Sequence, residues 1–141
     1  MKHLFAIIFI IVTLQTSTAQ TDLELISETL TDYIEGSTEG QPKRLEKAFH
    51  PNLNLYSTDK EGKMTTWSGK DYILDTKEGK PTGEEGRILS VDFENHAAVA
   101  KVKISHPDYK NSYIDYFMLL KLEGKWTIIH KMYTREVSNK K

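Results

Sequence analysis

A chain of 141 residues with a formal charge of −1, 28% charged side chains and no cysteine is one ordinary domain, long enough to bury a core without staples. The absence of cysteine excludes disulfides, thiolate metal centres and lipid carried on a thiol. The near-neutral charge lacks the basic footprint of a nucleic-acid binder.

The first nineteen residues differ from the rest. Lys2 and His3 give a short polar start, "LFAIIFIIVTL" from Leu4 to Leu14 is an apolar run, and Ser17 and Ala19 put small residues where a signal peptidase reads. This pattern predicts a signal peptide over 1–19, too short to span a bilayer, and a mature chain from Gln20. An exported chain without cysteine points to a bacterial periplasm or exterior. It has no lipobox cysteine and no membrane attachment once the leader is removed.

In the remainder, 20–141, Thr21 and Glu24 have capping-box spacing, and Leu23, Ile26, Leu30, Tyr33 and Ile34 form one helical face. "EGSTEGQP" breaks that helix at Gly36, and Pro42 opens a second helix with Leu45, Ala48 and Phe49 buried. Pro51 disfavours a helical His50, so the second helix ends there. "LNLYS" (53–57) and "MTTWS" (64–68) alternate as a hairpin, and Ser68 with Asp71 caps a short helix through "KDYILD". After a polar loop come strands at 87–94, 97–105, 112–122 and 125–136. Helices followed by an antiparallel meander give an α+β domain, with helices packed on one face of a curved sheet.

"LTDYIEGSTEGQPKRLEKAFHPNLNLYS", "TWSGKDYI" and "DYFMLLKLEGKWTIIHKMYT", in that order, resemble the nuclear transport factor 2-like superfamily. The nearest branch is the bacterial one labelled putative lumazine-binding, beside the polyketide-cyclase-like (SnoaL-like) and ketosteroid-isomerase-like branches. The resemblance implies a cone-shaped curved antiparallel sheet against N-terminal helices, an apolar pocket between the two layers, and dimers formed through the sheet's other face.

The turn "KLEGKW" sets the register of the last two strands. A two-residue primed turn demands positive φ at Glu123, which suits Asn or Asp better. A three-residue loop, Leu122 to Gly124, avoids this and pairs Lys121 with Lys125, Phe117 with Ile129 and Asp115 with Lys131. It turns Ile114, Tyr116, Met118, Leu120, Trp126, Ile128, His130 and Met132 toward the helices. Phe117, Leu119 and Ile129 then form an outward apolar strip, the mark of a homodimer interface.

In this register His130 is either a hydrogen-bonded core histidine or a polar group in a ligand pocket, with Tyr116 and Trp126 on the same wall. His50 stands at a helix end, where the dipole favours an imidazolium, and the resemblance puts that join near the pocket rim. Trp67 and Tyr56 on the first hairpin are core packing or a flat wall for a planar ligand. Asp115 falls on the outer face as a cross-strand partner of Lys131. The carboxylate base that ketosteroid isomerases carry after the second helix corresponds here to Ser57, which cannot take a proton in that chemistry. No metal-binding motif links His50 to His130, and no nucleophile elbow or phosphate cradle is present.

These observations favour a binding module for a small apolar or aromatic molecule, without cofactor or metal. Its candidate ligand-binding residues are His130, Trp126, Tyr116, His50, Trp67 and Tyr56. A dimeric interaction module with a filled core comes second. An isomerase, dehydratase or cyclase with acid–base residues in the pocket comes third, and no residue is assigned a catalytic role.

Overall fold

The computed structural model describes residues 20–108 and 111–137; the leader expected over 1–19 lies outside them. Helix α1 (Asp22–Thr38) starts from the expected capping box: Thr21 N–H donates to Glu24 Oε2 at 2.7 Å, and Glu24 N–H donates to Thr21 Oγ1 at 3.3 Å. The helix passes through Gly36 instead of stopping there. Gly36 is the point where helix α2 (Pro42–Ala48) crosses, and a Cβ at this position would lie 2.8 Å from Leu45 Cγ. The chain turns only at Gly40, with φ of +65°.

Helix α2 ends at Ala48, so His50 belongs to strand β1 (Phe49–Thr58) and not to a helical last turn. The order continues with β2 (Met64–Ser68), α3 (Gly69–Asp75), β3 (Glu85–Glu94), β4 (Ala97–Ser105), β5 (Asn111–Leu122) and β6 (Lys125–Val137). The sheet is curved and unclosed, in the order β2-β1-β6-β5-β4-β3. All neighbours are antiparallel except β1 and β6, which run parallel. The helices cover one face, where Ile26, Leu30 and Tyr33 of α1 meet Leu55, Val102, Phe117 and Ile128. The α+β architecture expected from the element order is the one observed.

The register of the last hairpin corrects the sequence reading. Leu122 pairs with Lys125, so Glu123 and Gly124 form a two-residue turn, with φ of 49° and 80°. The turn accepts the strained glutamate because this register buries Leu119 opposite Ile128. Further along, Met118 pairs with His130, and Ile129 has no partner on β5. This bulge inverts the alternation of β6. Trp126 and Ile128 face the helices as expected, but beyond the bulge Lys131 faces inward and His130 and Met132 face outward.

Strand β5 is inverted along the same stretch. Phe117, Leu119 and Asp115 are each 1% exposed, whereas Tyr116 and Met118 are 41% and 49% exposed. The strip assigned to a dimer interface is therefore largely interior, and Asp115 is not on the outer face.

Candidate functional site

The bulge in β6 delivers Lys131 into the protein. Its Nζ lies 3.1 Å from Asp115 Oδ2 and donates to the Tyr33 hydroxyl at 2.6 Å, and that hydroxyl donates to the same Asp115 oxygen at 2.5 Å. Two strands and a helix thus meet in one triangle, Asp115 from β5, Lys131 from β6 and Tyr33 from α1. Aromatic rings enclose the ammonium: its nitrogen lies 4.7 Å from the ring centre of Tyr33, 5.3 Å from Tyr72, 5.4 Å from Tyr133 and 5.9 Å from Phe117. Each is within cation–π range. Buried charge is tolerated only when paired in this way.

Burial pushes the Tyr33 phenol well above its ordinary pKa, and neighbouring Tyr72 and the Asp115 carboxylate push the same way. Tyr33 thus stays a neutral donor at any physiological pH. Asp115 Oδ1 is buried without a hydrogen-bond partner. An ammonium has three N–H groups. Its hydrogen bond goes to Tyr33 and Asp115 meets it as an ion pair, which leaves an N–H for a further acceptor.

Above this triangle lies a pocket of about 230 Å³, walled by Trp67, Tyr72, Tyr113, Tyr133, Leu55 and Ile104 and reached by Ser37 and Glu84. Trp67 and Tyr72 meet edge to face with centroids 5.1 Å apart. The Tyr72 hydroxyl is 2.6 Å from Ser37 Oγ. An outer compartment of about 420 Å³ shares Ser37, Trp67, Tyr72 and Glu84 and continues past Lys77 and Lys80. The loop that bounds it is tied to the end of α1: Gly79 N–H donates to Gly40 O and Thr82 N–H to Thr38 O, both at 2.8 Å.

Of the six ligand-binding candidates, Trp67 alone lines this pocket. Trp126 is on the helix side but buried elsewhere in the core, with Nε1 donating to Asp22 Oδ1 at 2.9 Å. His130 and Tyr116 line a different cavity on the outer face, and Tyr56 packs against His130 there with centroids 5.5 Å apart. His50 lines neither cavity; its Nδ1 accepts from Asn52 N–H at 3.2 Å. Ser57 donates to Tyr133 O at 2.8 Å and so supports the pocket wall. Tyr33, Tyr72, Tyr113, Tyr133 and Lys131 were not singled out for a site. For Tyr113 the signal was the odd-numbered series Tyr113, Asp115, Phe117, Leu119 of β5, legible only once the hairpin turn is set correctly.

Comparison with known proteins places the chain. An NTF2-like protein of unknown function from Shewanella baltica OS155 is 26% identical, with a TM-score of 0.71 over 85% of this chain and 100% of that one. An NTF2-like protein of unknown function from Methylobacillus flagellatus KT is 25% identical, with a TM-score of 0.71 over 86% of this chain and 97% of the other. The chain is also similar to a Cladobotryum protein named aldolase FrzH, at 25% identity over 72% of this chain and 81% of that protein. Residues 21–134 match the family model described as "Putative lumazine-binding". The chain belongs to that family, within the NTF2-like superfamily.

Proposed function

We propose that this protein binds a small planar molecule bearing a ring carbonyl, held in the pocket above the Asp115–Lys131–Tyr33 triangle. The observation that carries this reading is the remaining N–H of a buried, charge-balanced ammonium, at the base of a pocket walled by aromatic rings. A carbonyl oxygen is the acceptor such a donor lacks, and a flat ring suits walls made of Trp67, Tyr72 and Tyr113. The volume of about 230 Å³ is below the roughly 300–1,000 Å³ of drug-sized sites, so the ligand is one or two fused rings. The family description names lumazine, a fused-ring dione of this kind. A polar tail on the ring would extend toward Lys77 and Lys80. Export through the leader is part of the proposal, and the intact mass of the exported protein tests it. Native mass spectrometry of protein purified from its host tests the ligand. A bound mass matching a planar carbonyl compound, absent from Lys131→Met, supports the reading.

The aldolase relative favours a second reading, in which the same groups act on the ligand. Enolate chemistry needs a base to take a proton beside a carbonyl and a cation to hold the resulting oxygen. Asp115 and Lys131 are such a pair. The burial of Asp115 at 1% exposure ranks this second, because the carbon must reach a nearly sealed carboxylate. Deuterium uptake from heavy water into a bound ketone, lost in Asp115→Asn, supports it; no uptake in the wild type removes it.

A further inference from the structure

We propose that the outer face of the sheet holds a soft monovalent metal ion, Cu(I) or Ag(I), between the thioethers of Met118 and Met132 and the imidazole of His130. Nothing in the pocket on the helix side depends on this site, which lies on the opposite face. Met118 is the cross-strand partner of His130, and Met132 follows His130 by two residues on the same strand. The three side chains therefore leave one face of two adjacent strands, and they line one cavity of about 250 Å³.

Three features point to a metal. The first is His130 Nδ1, which is shut off from solvent and has no hydrogen-bond partner. A buried polar atom without a partner is costly, and one in a native fold calls for an explanation, a bound ion among them. The second is the pair of methionines, 49% and 54% exposed beside it. Thioethers are poor ligands for hard ions and select Cu(I), and imidazole also suits copper. The third is the rim: Asp92 and Lys101 balance each other, and Lys101 is drawn aside over the Tyr116 ring, 5.4 Å from its centre. An apolar partner laid over this patch would cover the methionines but leave Nδ1 unpaired. A soft cation satisfies all three side chains. His spacing in the sequence does not register thioethers as metal ligands.

The test is a titration of the protein with Ag(I), a redox-inert stand-in for Cu(I), followed by NMR of methionine methyl groups. One equivalent should shift the signals of Met118 and Met132 and the His130 ring, and leave Met64 unmoved. Met118→Leu/Met132→Leu keeps exposed apolar side chains of similar size, and its circular dichroism should match the wild type. It should bind Ag(I) at least about 100-fold more weakly, since losing a ligand costs no less than the roughly 10–100-fold of losing an outer-shell partner. Equal Ag(I) affinity in the double variant, uniform shifts that include Met64, or competition by Zn(II) at similar concentration would each overturn the proposal. Absence of Ag(I) binding, with or without a dimer in sedimentation, would overturn it too.

Discussion

Asp115 and Lys131 form an ion pair of 3.1 Å whose side chains are 1% and 6% exposed. Removing one partner of such a pair strands the other charge, at about 3–5 kcal/mol. Lys131→Met and Asp115→Asn should each lose stability on that order in urea denaturation. Asp115→Leu/Lys131→Met, which removes both charges, should lie nearer the wild type than either single variant. Additive losses would show that the pair is not coupled.

The same pair shows where the sequence was legible and where it was not. Element order, the cap at Thr21, the Ser68 cap and the bounds of β2 and β4 follow from local rules, because each depends on residues a few positions apart. The faces of β5 and β6 do not. They depend on one turn and one bulge, and a shift of one residue exchanges the two faces. Positive φ at Glu123 argued against the true turn, and no local pattern marks Ile129 as the extra residue. Asp115 and Lys131 also read as surface groups, since charged residues are seldom fully buried unless paired. Trp67 lines the pocket from a hairpin that contains no such irregularity.

Glu123 has φ of 49° in the two-residue turn, where L-residues other than Asn and Asp are strained by roughly 1–2 kcal/mol. Glu123→Asn should therefore raise the denaturation midpoint, with a gain of about 1 kcal/mol. A loss on this substitution would speak against the turn and the register that follows from it.

Gly36 faces Leu45 across the α1–α2 crossing, and an added Cβ would meet the leucine side chain at 2.8 to 2.9 Å. Gly36→Ala improves helix propensity yet should destabilise the domain by about 1–3 kcal/mol through overpacking. Leu45→Ala in the same background should recover part of that loss, and thermal melts of the three variants decide it.

Asp22 accepts from Lys121 Nζ at 2.7 Å and from Trp126 Nε1 at 2.9 Å. The lysine first, and the indole after it, hold the Asp22 carboxyl below its ordinary range. A depressed folded-state pKa adds stability above the unfolded value, and that stability is lost as pH falls through the folded value. Asp22→Asn should thus be less stable than the wild type at neutral pH. The difference should close in acid, below the lowered value. Urea midpoints of both proteins across this range give the result directly.

The two tryptophans separate the pocket from the core. Trp67 lines the pocket and Trp126 is sealed at 1% exposure. Quenching by a bound planar ligand should disappear in Trp67→Phe and persist in Trp126→Phe.

The most direct measurement is a titration with lumazine of the wild type, Lys131→Met, Asp115→Leu/Lys131→Met and His130→Leu, followed by Trp67 fluorescence. The pocket account predicts one-to-one binding to the wild type and to His130→Leu, whose side chain is on the other face. It predicts affinity at least about tenfold weaker in both lysine variants, the cost of leaving a carbonyl unpaired; the charge-free double variant separates this loss from a folding defect. Equal binding with and without Lys131, or no response from the wild type to lumazine or any other planar carbonyl compound, would contradict it.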